Sequence, residues 1–148
     1  MNRRELADWL GPGCRGPVEL RVPADARQLV LVRMLAQGVA EREGFPPDEV
    51  TDIVLAVDEA CASLVRASVP GALLTCRLSV AFGKLRVEVS STVSPTGPAG
   101  VPSQWSWRVL DTVTDSLSAW RHELDPRRDV DRIVHIDFAK QVARHPTR

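Results

Sequence analysis

A chain of 148 residues is the size of one globular domain, and a 44% hydrophobic composition is enough for a single core. The 26% charged residues leave it outside the range of disordered chains. A formal net charge of +0 and a pI near 6.8 provide no electrostatic footprint for nucleic acid or for an anionic membrane.

Residues 1–16 end in Gly, Pro and Cys and read as a flexible leader, ahead of one domain over 17–140 and a frayed tail over 141–148. "PVELRVPA" alternates Val18, Leu20 and Val22 inward as a short strand stopped by Pro23. From Asp25 a helix follows, with Leu29, Val32, Ala36 and Val39 on one face. Val30, Leu31, Met34 and Leu35 widen its apolar stripe beyond what one packed face needs. Two readings follow: a helix buried on two sides, or a surface kept apolar for a partner with Arg33 as its anchor.

"GFPPDEV" ends the first helix at Gly44 and starts a second with prolines and acids in its first turn. Val50, Ile53, Val57, Cys61 and Leu64 then repeat at amphipathic spacing, leaving Glu59 and Ser63 one turn apart beside the stripe. "VPGA" stops this helix. Two strands, "LLTCRLSVAF" and "KLRVEVSSTV", are joined as a hairpin at Gly83-Lys84. The Pro/Gly-rich "SPTGPAGVPSQ" has the length of a lid, and "WSWRVLDTVTD" is a short helix with Trp107, Leu110 and Val113 apolar. "SLSAWRHEL" and "VDRIVHIDFAK" close the domain as two strands around "DPRRD". This order predicts an α+β fold, a two-layer α/β sandwich with a mostly antiparallel sheet.

Chemistry-bearing groups are sparse. Cys14, Cys61 and Cys76 are odd in number and far apart, and His122, His135 and His145 do not cluster, so no metal site is expected. Cys61 and Cys76 sit in apolar patterns and read as core thiols. "MNRRELADWL" lacks the apolar run of a secretory signal, and no stretch is long and apolar enough to span a membrane, which points to a reduced cytoplasmic protein. Read alone, Asp58 and Glu59 are surface charge.

The element order, with "DIVLAVDEACASLVRA" on the second helix, resembles the histidine-kinase-like ATPase superfamily and its Bergerat-type fold. Within it, the chain is similar to the bacterial anti-sigma factors that are also serine-protein kinases. The quoted helix resembles the family's "LAVxEAxxNAVxHA", which places the catalytic base on Glu59, the magnesium-binding Asn on Ser63 and the usual His on Ala67. The adenine-recognising "DxG" falls on Ser91 and Val93, and "GxGL" falls on Gln104, Trp105, Ser106 and Trp107. A Ser hydroxyl is a poorer magnesium ligand than an Asn carbonyl. Loss of the Asp removes the acceptor for the adenine amine. Side chains in place of glycines obstruct the approach of backbone N–H groups to phosphates. Trp107 reads either as core packing or, with Trp105, as an indole filling part of the vacated nucleotide pocket.

This degenerate pattern resembles the actinobacterial anti-sigma factors, the mycobacterial sigma-F regulators in particular. The resemblance implies a dimeric protein that sequesters an alternative sigma factor and is released by an anti-anti-sigma STAS-domain protein. No nucleic-acid or membrane partner is expected. The family's partner-contacting arginine falls on Arg33, on the apolar face of Val30 and Met34. Glu59 then reads as a relic base, with no cofactor expected. An active kinase using ATP and Mg²⁺ at Ser63, Ser91, Gln104 and Ser106 is the alternative, and an adaptor for another partner is a third reading.

Overall fold

The computed structural model describes residues 15–94, 104–123 and 131–141, with residues 15, 16, 104–106 and 121–123 described by backbone alone. The anticipated lid over 95–103 and the "DPRRD" turn lie outside the described residues. The chain runs β1 (Arg15–Pro23), a 3-10 turn (Ala26–Gln28), α1 (Leu29–Arg42), α2 (Pro47–Ala67), β2 (Leu73–Ala81) and β3 (Lys84–Val93). It ends in α3 (Gln104–Val113), β4 (Ser116–Glu123) and β5 (Arg132–Gln141). The order anticipated from the sequence holds, with the 3-10 turn as an addition.

Local chemistry sets the helix boundaries. Asp25 Oδ1 accepts from the Arg27 amide at 3.0 Å and caps the 3-10 turn that leads into α1. Gly44, with φ of 79°, supplies the left-handed residue that lets the chain reverse within a few residues. Pro47 opens α2, and Asp48 and Glu49 in its first turn complement the helix dipole. The result is an antiparallel helical hairpin. At the end of α3 the Val113 carbonyl accepts from Lys140 Nζ at 3.1 Å, a cation at a helix C-terminus that ties α3 to β5.

All strand pairs are antiparallel, in the order β1-β2-β3-β5-β4. Alternation decides the faces. Leu85, Val87, Val89 and Val93 of β3 are buried with Leu74, Cys76 and Leu78 of β2 and Val134, Ile136 and Phe138 of β5. Ile53, Val57, Cys61 and Leu64 of α2 and Leu110 of α3 belong to the same core. The opposite face carries polar cross-strand rows such as Glu19, Arg77, Glu88 and Asp137, the arrangement of an antiparallel sheet with one wet side. The chain therefore folds as the α+β two-layer sandwich expected of it. No helix among the described residues is long and apolar enough to cross a membrane.

Two expectations are corrected. The β2–β3 turn is Phe82-Gly83, not Gly83-Lys84. Ala81 pairs with Lys84, and the two residues between them both take positive φ, 53° and 72°. That is the backbone of a two-residue primed turn, which leaves Lys84 in the ladder. The second correction concerns α1, which is not buried on two sides. Val30, Leu31 and Met34 are 48%, 45% and 64% exposed, because the sheet and α2 cover only the Leu29–Val32–Ala36–Val39 side.

Candidate functional site

Two regions hold the candidate residues: the corner where the end of α2 meets β3, and the outward face of α1.

At the corner the helical period of α2 turns Ser63 inward, where it is buried. Its Oγ donates to the Glu59 carbonyl at 2.9 Å, one turn back, and accepts from Arg66 Nη2 at 3.3 Å. The hydroxyl is thus already used as donor and as acceptor. The guanidinium beside it also puts positive charge where a magnesium ion would need negative or carbonyl oxygens. Among the described residues, position 63 thus offers a magnesium ion only a hydroxyl that is already engaged, beside a guanidinium, which is a poor fit to a magnesium–nucleotide complex.

Ser91 is buried on β3, with its Oγ 2.6 Å from Ser68 Oγ, and Ser68 Oγ donates to the Leu64 carbonyl at 2.7 Å. Because the Ser68 proton goes to Leu64, Ser91 is the donor to Ser68. An Asp at this position would present an acceptor to an adenine amine, whereas Ser91 instead fastens β3 to the C-terminal end of α2. The structure therefore brings Ser63 and Ser91 to the same α2–β3 corner, each held in an internal hydrogen bond. Glu59 is half-buried on α2. Gln104 opens α3, as the motif alignment requires, and the side chains of Gln104, Trp105 and Ser106 lie outside the described residues. Trp107 is half-buried, and Leu110 is fully enclosed in the core.

Cys61 and Cys76 face each other from α2 and β2 and are fully buried, free thiols. The hydrogen bond to Cys76, reinforced by burial, pushes the Cys61 thiol well above its ordinary pKa. The thiolate that redox chemistry needs is therefore suppressed.

The face of α1 is built differently. Val30, Leu31 and Met34 stand exposed, and Leu55 of α2 is 39% exposed. Arg33 lies among them, and its Nη1 donates to Asp58 Oδ1 at 2.7 Å across the helical hairpin. Both side chains remain partly solvated, so this ion pair holds the guanidinium in place without burying it.

Sequence reasoning missed three residues here. Asp58 reads as surface charge until the hairpin brings residues 33 and 58 together. Arg66 was readable, since i and i+3 are neighbours on a helix. Ser68 gave no signal, because its role depends on where β3 lies.

A five-stranded antiparallel sheet with mixed helices is consistent with the α+β class of fold that histidine kinase-like ATPase domains adopt. Residues 22–106, more than half the chain, match the model of the histidine kinase-like ATPase domain. The chain belongs to that family. It is 32% identical over 109 residues to the anti-sigma-F factor RsbW of Mycobacterium tuberculosis, in both strains compared. That match covers 74% of this chain and 64% of the relative, so the chain spans less than two thirds of the mycobacterial proteins. It is also 37% identical to the serine-protein kinase RsbW of Bacillus cereus strain AH187, over 49 residues, 33% of this chain and 31% of that one.

Proposed function

We propose that this protein is an anti-sigma factor that works by binding alone. It holds an alternative sigma factor of the sigma-F or sigma-B kind away from RNA polymerase. It releases that factor when an anti-anti-sigma STAS-domain protein competes for the same surface, the outward face of α1 with Arg33, Val30 and Met34. It acts as a cytoplasmic homodimer, without ATP or magnesium. The observation that carries this reading is the exposed apolar face around a positioned arginine, in a chain related to a protein named as an anti-sigma-F factor.

The hydroxyls of Ser63 and Ser91 support the absence of phosphoryl transfer, since each is engaged inside the protein. Glu59 can act as a base only on a hydroxyl aligned with a bound nucleotide, and among the described residues Ser63 and Ser91 stand where the family's magnesium ligand and adenine acceptor would be. With no phosphorylation of its own, the switch between partners rests on their relative amounts and on modifications made by other enzymes.

Calorimetry tests the reading directly. The protein is titrated with magnesium–ATP and then with each purified alternative sigma factor of its source organism. Binding to a sigma factor without binding of millimolar ATP supports the proposal, and failure to bind any sigma factor refutes it. The second reading, an active serine-protein kinase, rests on the partly accessible Glu59 and on the Bacillus relatives. Phosphate transfer to a STAS-domain protein, abolished by Glu59→Ala, would establish it.

A further inference from the structure

The polar face of the sheet, turned away from the helices, carries a hollow of about 230 Å³ over β2, β3, β5 and β4. Strand register builds it. One row across the strands reads Ser79, Arg86, Ala139 and Ser116, and the next reads Arg77, Glu88, Asp137 and Ser118. Long side chains stand on β3, while Ala139, Ser116 and Ser118 leave open space beside them.

The two rows leave opposite needs unmet. In the first, Ser79 and Arg86 face each other across β2 and β3. Ser79 is only 5% exposed and lines the hollow. Its hydroxyl, unlike those of the buried Ser63 and Ser91, has no hydrogen-bond partner among the described residues. Arg86 is exposed and has no ion pair among them. This end of the hollow therefore offers donors without an acceptor.

In the second row, Glu88 and Asp137 face each other across β3 and β5, and like charges directly opposite destabilise a sheet. Glu88 accepts no hydrogen bond among the described residues, with Arg77 Nη1 4.0 Å away and His135 Nδ1 3.9 Å away. Arg77 gives its hydrogen bonds to Glu19 instead, from Nε at 3.1 Å and Nη2 at 2.9 Å. Asp137 Oδ2 accepts from Trp120 Nε1 at 2.9 Å, and its Oδ1 is buried without a donor. Burial and the Asp137 carboxylate hold Glu88 above the ordinary glutamate pKa, as expected of an acid pair that lacks a cation. This end offers acceptors without a donor.

We propose that the hollow binds a small zwitterion whose primary ammonium and carboxylate are separated by a chain of methylene groups, an ω-amino acid. The ammonium lies between Glu88 and Asp137, with the Ser118 hydroxyl as a further acceptor, and the carboxylate accepts from Arg86 and Ser79. The rows are two residues apart along β3, about 7 Å at ~3.4 Å per residue. An α-amino acid carries both charges on one carbon and spans that separation poorly. The site lies on the opposite side of the sheet from α1 and does not depend on the anti-sigma reading.

An NMR titration of the isotope-labelled chain tests this. The ligands are γ-aminobutyrate and δ-aminovalerate, beside glycine and the singly charged butylamine and butyrate. The Trp120 indole N–H, bonded to Asp137, reports on the acidic end, and the Arg86 Nε–H reports on the basic end. Saturable shifts of both are expected, with a Kd of about 1 mM or below for an ω-amino acid and at least tenfold weaker binding of the other compounds. Arg86→Gln and Glu88→Gln should each weaken binding at least tenfold, and Ser79→Ala a few-fold, with thermal unfolding confirming that each variant is folded. No saturable shift at tens of millimolar of either ω-amino acid overturns the proposal. So does equal binding of butylamine, butyrate or glycine, since one end or a shorter span then suffices. Binding that neither Arg86→Gln nor Glu88→Gln weakens overturns it as well, by placing the ligand elsewhere.

Discussion

The α2–β3 corner and the outward face of α1 lie in the same small domain and have opposite polar character. At the corner the polar groups point inward and satisfy one another: Ser63 with the Glu59 carbonyl and Arg66, Ser91 with Ser68. On α1 the apolar groups point outward and lack cover, with Val30, Leu31 and Met34 around a half-solvated arginine. A pocket built for a charged ligand keeps polar groups only partly satisfied until the ligand arrives, and a docking face keeps apolar area exposed until a partner arrives. By that criterion the proposed function sets a corner whose described hydroxyls are satisfied within the chain against an α1 face whose apolar groups are not covered.

The sharpest way to break this contrast is to reverse the charge at the centre of the α1 face. Arg33→Glu places a carboxylate against Asp58 and against any acidic partner group. The expected loss of sigma-factor affinity is about two decades or more, roughly 3 kcal/mol, read by calorimetry. Stability should change little, because the Arg33–Asp58 pair is partly exposed. A variant that binds normally would remove α1 as the docking face.

Restoring the lost ligand probes the corner. Ser63→Asn enlarges a buried side chain in a packed site, and a cost of about 1–3 kcal/mol in urea unfolding is expected. Nucleotide binding should not return, since Arg66 still lies beside position 63 and Ser91 still faces Ser68. Quenching of tryptophan fluorescence by millimolar ATP in this variant would show that the corner remains a ligand site.

The sequence carried the corner and the α1 face unequally. Periodicity alone located α2, its buried stripe and the neighbourhood of Glu59 and Ser63, because helical geometry converts spacing directly into sides. The strands were legible for the same reason, and the hairpin was misplaced by one residue only because Phe82 accepts a positive φ more often taken by Asn, Asp or Gly. For α1 the sequence showed an excess of apolar residues and could not show whether a second layer covers them. That depends on how many layers the fold has, a tertiary property. Likewise the engagement of Ser91 depends on a neighbour 23 residues away, and that of Arg33 on one 25 residues away, separations that no local pattern encodes.

Gly38 offers a smaller test that separates folding from binding. Gly38→Ala adds a methyl group that meets nothing and removes the entropic penalty of glycine in a helix. The variant should therefore be more stable by about 0.5–1 kcal/mol in urea unfolding. A protein that gains stability and loses affinity through one methyl group would show that the residue serves the face and not the fold. Destabilisation would instead reveal a packing role for the glycine within the chain.

The smallest effect is expected on the polar side of the sheet, which takes no part in the contrast and so serves as its control. Glu88 is held above the ordinary glutamate pKa, first by burial and then by the neighbouring Asp137 carboxylate, against the opposing pull of Arg77. Glu19, which shares Arg77, is held below its ordinary value by hydrogen bonds from Arg21 and Arg77. The signs differ. A raised folded pKa means that Glu88 favours the folded state below its unfolded pKa, and that this contribution is lost as pH rises through the folded value. Glu19 stabilises above its unfolded pKa and loses that contribution as pH falls through its lowered folded value. Glu88→Gln should thus raise stability near neutral pH, by roughly half a kcal/mol or less once solvent screening is allowed for, and the gain should vanish in acid. Glu19→Gln should lower stability near neutral pH, and the two unfolding curves should converge in acid. Neither change should alter sigma-factor affinity, because both glutamates lie on the sheet face turned away from the helices. A coupled change in binding would extend the partner surface across the sheet and end the division of labour between its two sides.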